Sequence, residues 1–272
     1  TRKVLETLLR FGFGALVMTK SDMVLRDLDL LQRVNEAAWA GVIFTITTFD
    51  PEVVRLFEPG APSPERRLEA LEKVAKAGLV TGVIACPLLP GICDDEAHIE
   101  EVVRRAKGAG AQFVLHGGLT LKKGPQRERY MEALVLHYPH LVTWYEELYG
   151  KGYGADPEYA RRVSQMARAI CRKHGVPDRM KRPIIRGEEF PTNKRIAALL
   201  AEKVYEMEIT GENESRVWAY RRASWAVEEL EEDIKLIYER MGRKGLEGIK
   251  WVGKSLAKVI EVVLFDKCNH IC

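Results

Sequence analysis

The chain has no long hydrophobic run. Nowhere in its 272 residues does an apolar stretch reach the roughly 18 residues that cross a bilayer, and no signal peptide is visible. Membrane-spanning and secreted classes are therefore disfavoured. Cysteine is scarce: the five are Cys86, Cys93, Cys171, Cys268 and Cys272. An odd, scattered set does not make a disulfide framework and fits a reducing cytoplasm. An excess of one charge is also missing, because 42 Lys and Arg against 39 Asp and Glu leave a net charge of +3. That balance does not point to nucleic acid by itself; the placement of the charges has to do so. With no disulfides expected, stability must come from burial, and a chain of this length can bury a substantial core.

What is present is a regular alternation. The chain opens on Thr1 already inside an amphipathic pattern and closes at Cys272 straight after Cys-Asn-His-Ile, so a piece of a longer polypeptide is expected. A short helix over 4–10 is followed by an apolar run, 13–19, that ends in Lys20, Ser21 and Asp22. Asp22 is expected to cap a helix over 23–38. The β-branched run 41–48 reads as a second strand. Ser63 and Pro64 start a helix that ends at Gly78. Residues 79–86 and 111–119 read as third and fourth strands, with a helix between them opened by Asp94 or Asp95. Nearly continuous apolar strands joined by helical crossovers predict a parallel sheet buried on both faces. The chemistry of such sheets sits at the carboxyl ends of their strands. Those ends carry Lys20, Thr45 to Thr48, Cys86 and His116. After about Lys122 the pattern becomes helical, over 126–137, 141–149, 157–174 and 192–207, and a linker at 208–212 precedes a last helical unit.

Three blocks in order give this first part a family resemblance. Val17-Met-Thr-Lys-Ser-Asp22 leads into Leu25-Arg-Asp-Leu-Asp-Leu-Leu31. Thr45-Ile-Thr-Thr48 is followed by Phe57-Glu-Pro-Gly-Ala-Pro-Ser-Pro-Glu-Arg-Arg-Leu-Glu-Ala-Leu71, and then by Val83-Ile-Ala-Cys-Pro-Leu-Leu-Pro-Gly91. Over roughly Thr1 to Glu206 the chain resembles spore photoproduct lyase-like radical S-adenosylmethionine (SAM) proteins. The resemblance implies an α/β fold, a partial (β/α) barrel of parallel strands of which the last four are present. It also implies SAM and a [4Fe-4S] cluster as cofactors of the full-length parent. Such a cluster is held by Cys-x-x-x-Cys-x-x-Cys, and that motif does not precede Lys20. No cofactor is therefore expected on this chain alone, and it is expected to be inactive alone. By the same resemblance Lys20 approaches the SAM carboxylate, where a cationic donor suits an anion, and Thr47 and Thr48 fall beside SAM. Glu58 and Pro59 read as a structural turn, Cys86 as packing, Cys93 and Cys171 as inert, and His116 as a core residue or one facing the barrel mouth.

The C-terminal part carries a second resemblance. Asn213-Glu-Ser-Arg-Val-Trp-Ala-Tyr-Arg-Arg-Ala-Ser-Trp-Ala-Val-Glu-Glu-Leu230 looks like the first helix of the small N-terminal domain of family X DNA polymerases. Gly245-Leu-Glu-Gly-Ile-Lys-Trp-Val-Gly-Lys-Ser-Leu-Ala-Lys-Val-Ile260 looks like a helix-hairpin-helix. That motif presents backbone N–H groups to a phosphate at the start of its second helix. Lys250, Gly253, Lys254, Ser255 and Lys258 are the implied DNA contacts, with Arg216, Arg221 and Arg222 extending a basic face. Trp251 stands where the first hairpin glycine belongs, and a bulky residue there is expected to disfavour a positive φ. The tail Cys268 to Cys272 has the spacing of two cluster ligands, a candidate metal site if a third follows.

The division expected is residues 1–122 as partial barrel, 123–207 as its helical extension, 208–267 as an all-α helix-hairpin-helix domain and 268–272 as a tail. Three functional readings stay open. One is part of a radical SAM enzyme acting on DNA or another nucleic acid, with nonspecific duplex DNA as partner. Another is a non-catalytic DNA-binding protein with a degenerate barrel. The third is an incomplete gene product.

Overall fold

The computed structural model describes residues 1–265, which divide into two compact units, residues 1–180 and a second that begins at Lys181. Among the described residues no helix is long and apolar enough to cross a membrane.

The first unit is built on a four-stranded parallel sheet in the order β1 (Ala15–Thr19), β2 (Ala40–Thr45), β3 (Val80–Leu88) and β4 (Val114–Gly118). Helix α1 (Arg2–Phe11) leads into β1. Helices α2 (Leu28–Ala37), α3 (Pro51–Phe57), α4 (Pro64–Lys76) and α5 (Glu96–Gly108) fill the crossovers. Their apolar stripes make the core: Leu30, Leu31 and Val34 from α2, Ala70, Leu71 and Val74 from α4, and Ile99, Val102 and Val103 from α5 pack on Val42, Phe44, Val83 and Val114. A Cβ on Gly82 in β3 would come within 2.4 Å of the Phe113 ring, so the aromatic side chain lies flat against that backbone.

The order expected from the sequence is present, with local differences. Ser21, not Asp22, accepts from the Met23 amide, and a 3-10 turn over Asp22–Asp27 precedes α2. Helix α3 was not expected. Its seven residues are too few to show a period, but Asp50 caps it by accepting from the Glu52 and Val53 amides, and Pro51 opens it.

Helices α6 (Pro125–His137), α7 (Val142–Tyr149) and α8 (Pro157–Lys173) follow the sheet. Leu134, Tyr145 and Tyr149 join Leu89, Ile92, Leu119 and Leu121 in a second cluster beyond the strand ends. Tyr145 donates to the Pro90 carbonyl (2.8 Å) and Tyr149 to that of Leu119 (3.0 Å). Helix α8 returns to the sheet core through Ala167, Ile170 and Cys171.

The second unit contains α9 (Pro191–Thr210), α10 (Glu214–Glu228), α11 (Ile234–Met241), α12 (Arg243–Glu247) and α13 (Lys254–Phe265). The boundary lies upstream of the linker expected at 208–212: Glu208 to Thr210 are the last turn of α9, closed by left-handed Gly211. Ile196, Ala197, Leu200 and Val204 of α9 face Val217, Ala223 and Val227 of α10 in one core. Ser224 donates to the Ala197 carbonyl at 2.8 Å. Fully buried Asn193 donates to the Glu232 carbonyl and accepts from the Ile234 amide, both at 2.9 Å. Helix α9 therefore belongs to the helical unit and not to an extension of the sheet.

Candidate functional site

Strand ends bring four of the sequence-marked positions to one edge. Lys20 follows β1, Thr47 and Thr48 follow β2, and Cys86 lies near the end of β3; because the strands are parallel and in register, these ends lie side by side. The residue at the centre of the edge is Glu58, at the C-terminus of α3. Its Oε1 accepts from Lys20 Nζ at 2.8 Å and from the Thr47 hydroxyl at 3.1 Å, while Oε2 pairs with Arg67 Nη2 at 2.5 Å. Glu58 is thus a buried ionic hub, not only the turn residue expected.

Arg67 is fully buried. Besides Glu58 it donates to the Pro62 carbonyl (2.8 Å) and to that of Thr45 (2.9 Å), tying α4 to the end of β2. Burial pushes the Glu58 carboxyl up, but hydrogen bonds and charge from Lys20 and Arg67 outweigh it and hold the group below its ordinary value. Two cations against one carboxylate leave this cluster with one net positive charge. Lys20, 40% exposed, uses one of its three donors on Glu58, so it can offer the others to an anion. Thr48 is buried, and its hydroxyl accepts from the Asp50 amide at 3.0 Å.

The three described cysteines, Cys86, Cys93 and Cys171, are held toward the thiol form. Burial raises Cys86 above its ordinary value, against the opposing pull of Lys20, and pushes Cys93 and Cys171 up to about 12. A Cβ on Gly117 would come within 2.9 Å of Cys86 Sγ, so that glycine makes room for the thiol. Burial lowers the pKa of His116, which is therefore a neutral imidazole. Among the described residues no three His, Cys, Asp or Glu side chains are grouped to hold a metal ion. The described residues do not fit an iron-sulfur cluster, whereas the Lys20 ammonium fits a carboxylate. Cys268 and Cys272 lie outside the described residues.

The hairpin of the second unit runs from Gly248 to Gly253. Ile249 and Val252 are buried and anchor it, while Lys250, Trp251, Gly253, Lys254 and Ser255 are exposed. The Ala257 amide bonds the Gly253 carbonyl at 2.9 Å, which leaves the amides of Lys254, Ser255 and Leu256 as the open donors of the α13 N-terminus. Lys258 is exposed one turn on, and its charge reaches Glu261. All five expected contact residues therefore share one end of α13. Trp251 overturns the expectation attached to it: it holds φ 65°, the left-handed conformation of the glycine it replaces. For a residue with a Cβ this costs about 1–2 kcal/mol, which the buried residues on either side must offset.

The three arginines of α10 differ in their surroundings. Arg216 pairs with Glu212 at 3.1 Å and Arg221 pairs with Glu208. The Arg222 guanidinium lies 4.8 Å from the Trp251 ring centroid and 5.8 Å from that of Trp218. Sequence reasoning missed Glu58 as a hub, Arg67 as its partner and the Trp218–Arg222–Trp251 array. Arg67 did leave a signal, since it interrupts the buried stripe of Pro64, Ala70, Leu71 and Val74. The Trp251 contact leaves none, because it joins residues distant in sequence.

Comparison with known proteins agrees with this division. The model of the helix-hairpin-helix domain family matches residues 191–268. An uncharacterised protein of Mycobacterium tuberculosis is 29% identical over 171 residues, covering 63% of this chain and 50% of that protein. An uncharacterised protein of Acidianus two-tailed virus is 31% identical over 154 residues, covering 56% of this chain and 50% of its own length. The chain thus spans about half the length of the curated relatives it matches. Among solved structures, a spore photoproduct lyase double mutant with bound AdoMet and dinucleoside spore photoproduct has a TM-score of 0.48 at 22% identity, covering 63% of this chain and 52% of that one. A tyrosine-to-phenylalanine mutant of the same enzyme gives 0.47 at 24%, with the same coverage.

Proposed function

We propose that the second unit holds nucleic acid by its phosphate backbone, without reading sequence, and that in the whole protein it delivers this substrate to radical SAM chemistry of the spore photoproduct lyase type. The observation that carries the binding half is the exposed set Lys250, Gly253, Lys254 and Ser255 at the start of α13, within a matched helix-hairpin-helix domain. Amides at a helix start and flanking lysines bind phosphate through dipole and charge together. Backbone contacts of this kind position the nucleic acid without reading its bases. The test is titration of labelled duplex DNA with the full chain at several salt concentrations. Binding should weaken steeply with salt, and Lys250→Glu with Lys254→Glu should abolish it. Absence of binding at low salt refutes the proposal.

The catalytic half rests on the three sequence blocks and on Lys20, whose spare donors suit the carboxylate of SAM. Thr47 and Thr48 belong to the same proposed contact, Thr47 by steadying Glu58 and Thr48 by shaping the loop after β2. SAM, when bound with a cluster, supplies a carbon radical; the residues described here would bind and orient it. The chain by itself, reconstituted anaerobically with iron and sulfide, is expected to release no 5′-deoxyadenosine.

A further inference from the structure

A cleft of about 360 Å³ opens beside the hairpin, lined by Glu214, Ser215, Trp218, Ala219, Arg222 and Trp251. It adjoins the amides at the start of α13 through Trp251, and its chemistry is different. Two indoles line it, Trp218 38% and Trp251 52% exposed. The Arg222 guanidinium stands between them, and Lys250 Nζ lies 5.6 Å from the Trp251 ring centroid. Arg221 stacks on Trp218 at 4.7 Å. Large aromatic rings left half in water, beside cations, make a surface for a flat ligand that carries negative charge. Arg222 lines the cleft and Lys250 lies beside its Trp251 wall, against one lining carboxylate, Glu214, so the local charge favours an anionic guest. Trp251 also holds its left-handed backbone at a position where glycine would be free of strain. A strained residue that keeps a large exposed side chain suggests a use for that side chain.

We infer that this cleft takes an unstacked nucleobase, Trp251 and Trp218 supplying the stacking faces and Arg222 and Lys250 the countercharge for its phosphate. The inference rests on the nucleic-acid reading above and deepens it: the module prefers nucleic acid with unpaired bases over continuous duplex. Base-on-aromatic stacking is tolerant of sequence because every base has a π face. It therefore adds selectivity for strandedness without adding sequence readout. In a duplex the bases are already stacked on one another, and only the phosphate contacts remain.

The test uses the full chain and three probes: an oligothymidylate single strand, an abasic deoxyribose-phosphate strand of the same length and charge, and a blunt duplex. The protein should bind oligothymidylate about tenfold more tightly than the abasic strand, with quenching of tryptophan emission. Trp251→Gly suits the left-handed backbone and should erase that difference, since it removes a stacking face while keeping the lysines and the amides at the start of α13. Trp251→Asn, a second residue that tolerates this conformation, should behave alike and guards against a folding defect peculiar to one variant. Equal affinity for the two strands in the unmodified protein, or a base dependence that survives both substitutions, overturns the inference. Duplex binding without base dependence leaves the backbone-binding reading standing and removes this one, while no binding to any probe removes both.

Discussion

Arg67 in the first unit and Arg222 in the second are both helical arginines, and their surroundings could hardly differ more. Arg67 is fully buried, with two backbone carbonyls and the Glu58 carboxylate around its guanidinium. Arg222 is exposed and rests against the faces of two tryptophans. In the first case desolvation makes each partner indispensable, because a charge left alone in the interior is expensive. In the second, water still reaches the cation and the charge stays available to a ligand. The sheet edge thus uses most of its charge to hold itself together and keeps only Lys20 partly free. The hairpin module also pairs charges internally, Arg216 with Glu212 and Arg221 with Glu208, but it leaves Arg222, Lys250 and Lys254 on the open surface. An arginine in a helix therefore says little about function until its partners are known.

That contrast can be broken most directly at Arg67. Arg67→Met should lower stability by about 3–5 kcal/mol in urea unfolding, the cost of stranding Glu58 without its buried partner. Lys254→Glu, on the open surface, should change stability by no more than about 0.5 kcal/mol. Similar losses from both would erase the distinction between the two units. A smaller effect is expected at Gly82, where Gly82→Ala meets the Phe113 ring and should cost about 1–3 kcal/mol through overpacking. A neutral result would show that the ring is free to move off the strand. The finest probe is pH. The folded Glu58 carboxyl sits below its ordinary value of 4.5. Its contribution is therefore complete above about pH 4.5 and is lost as pH falls through the folded pKa. Glu58→Gln should be less stable than the unmodified chain at neutral pH and show a shallower loss on acidification. An unchanged acid limb would mean that Lys20 and Arg67 do not hold the carboxylate.

Much of the fold was legible because it rests on local pattern. The runs 13–19, 41–48 and 79–86 are apolar and β-branched, so their strands were visible although the second ends at Thr45 and the third runs on to Leu88, as were Ser63 with Pro64 at the start of α4. The parallel sheet followed from the crossover helices. Helix α3 escaped because a seven-residue helix has barely two turns in which to show a period. The domain boundary escaped for another reason. Helix α9 has an apolar face that either neighbour could have covered, and Glu208 to Thr210 carry the charge and threonine expected of a linker. At the candidate sites Lys20, Thr47, Thr48 and the hairpin lysines were visible as residue types at strand and helix ends. Their partners were not, since Glu58 lies 38 residues from Lys20 and Arg67 lies 22 residues from Thr45.

Local pattern therefore accounts for the parallel strands, the Ser63 cap, the helix-hairpin-helix and the exposure of its lysines, all of which depend on neighbours a few residues away. Long-range packing chose the rest: it buried Arg67 on Glu58, gave α9 to the helical unit, and folded Trp251 into a left-handed turn against Arg222. Burial, charge pairing and backbone strain depend on which distant groups share a space, and that sharing exists only once the chain has closed on itself.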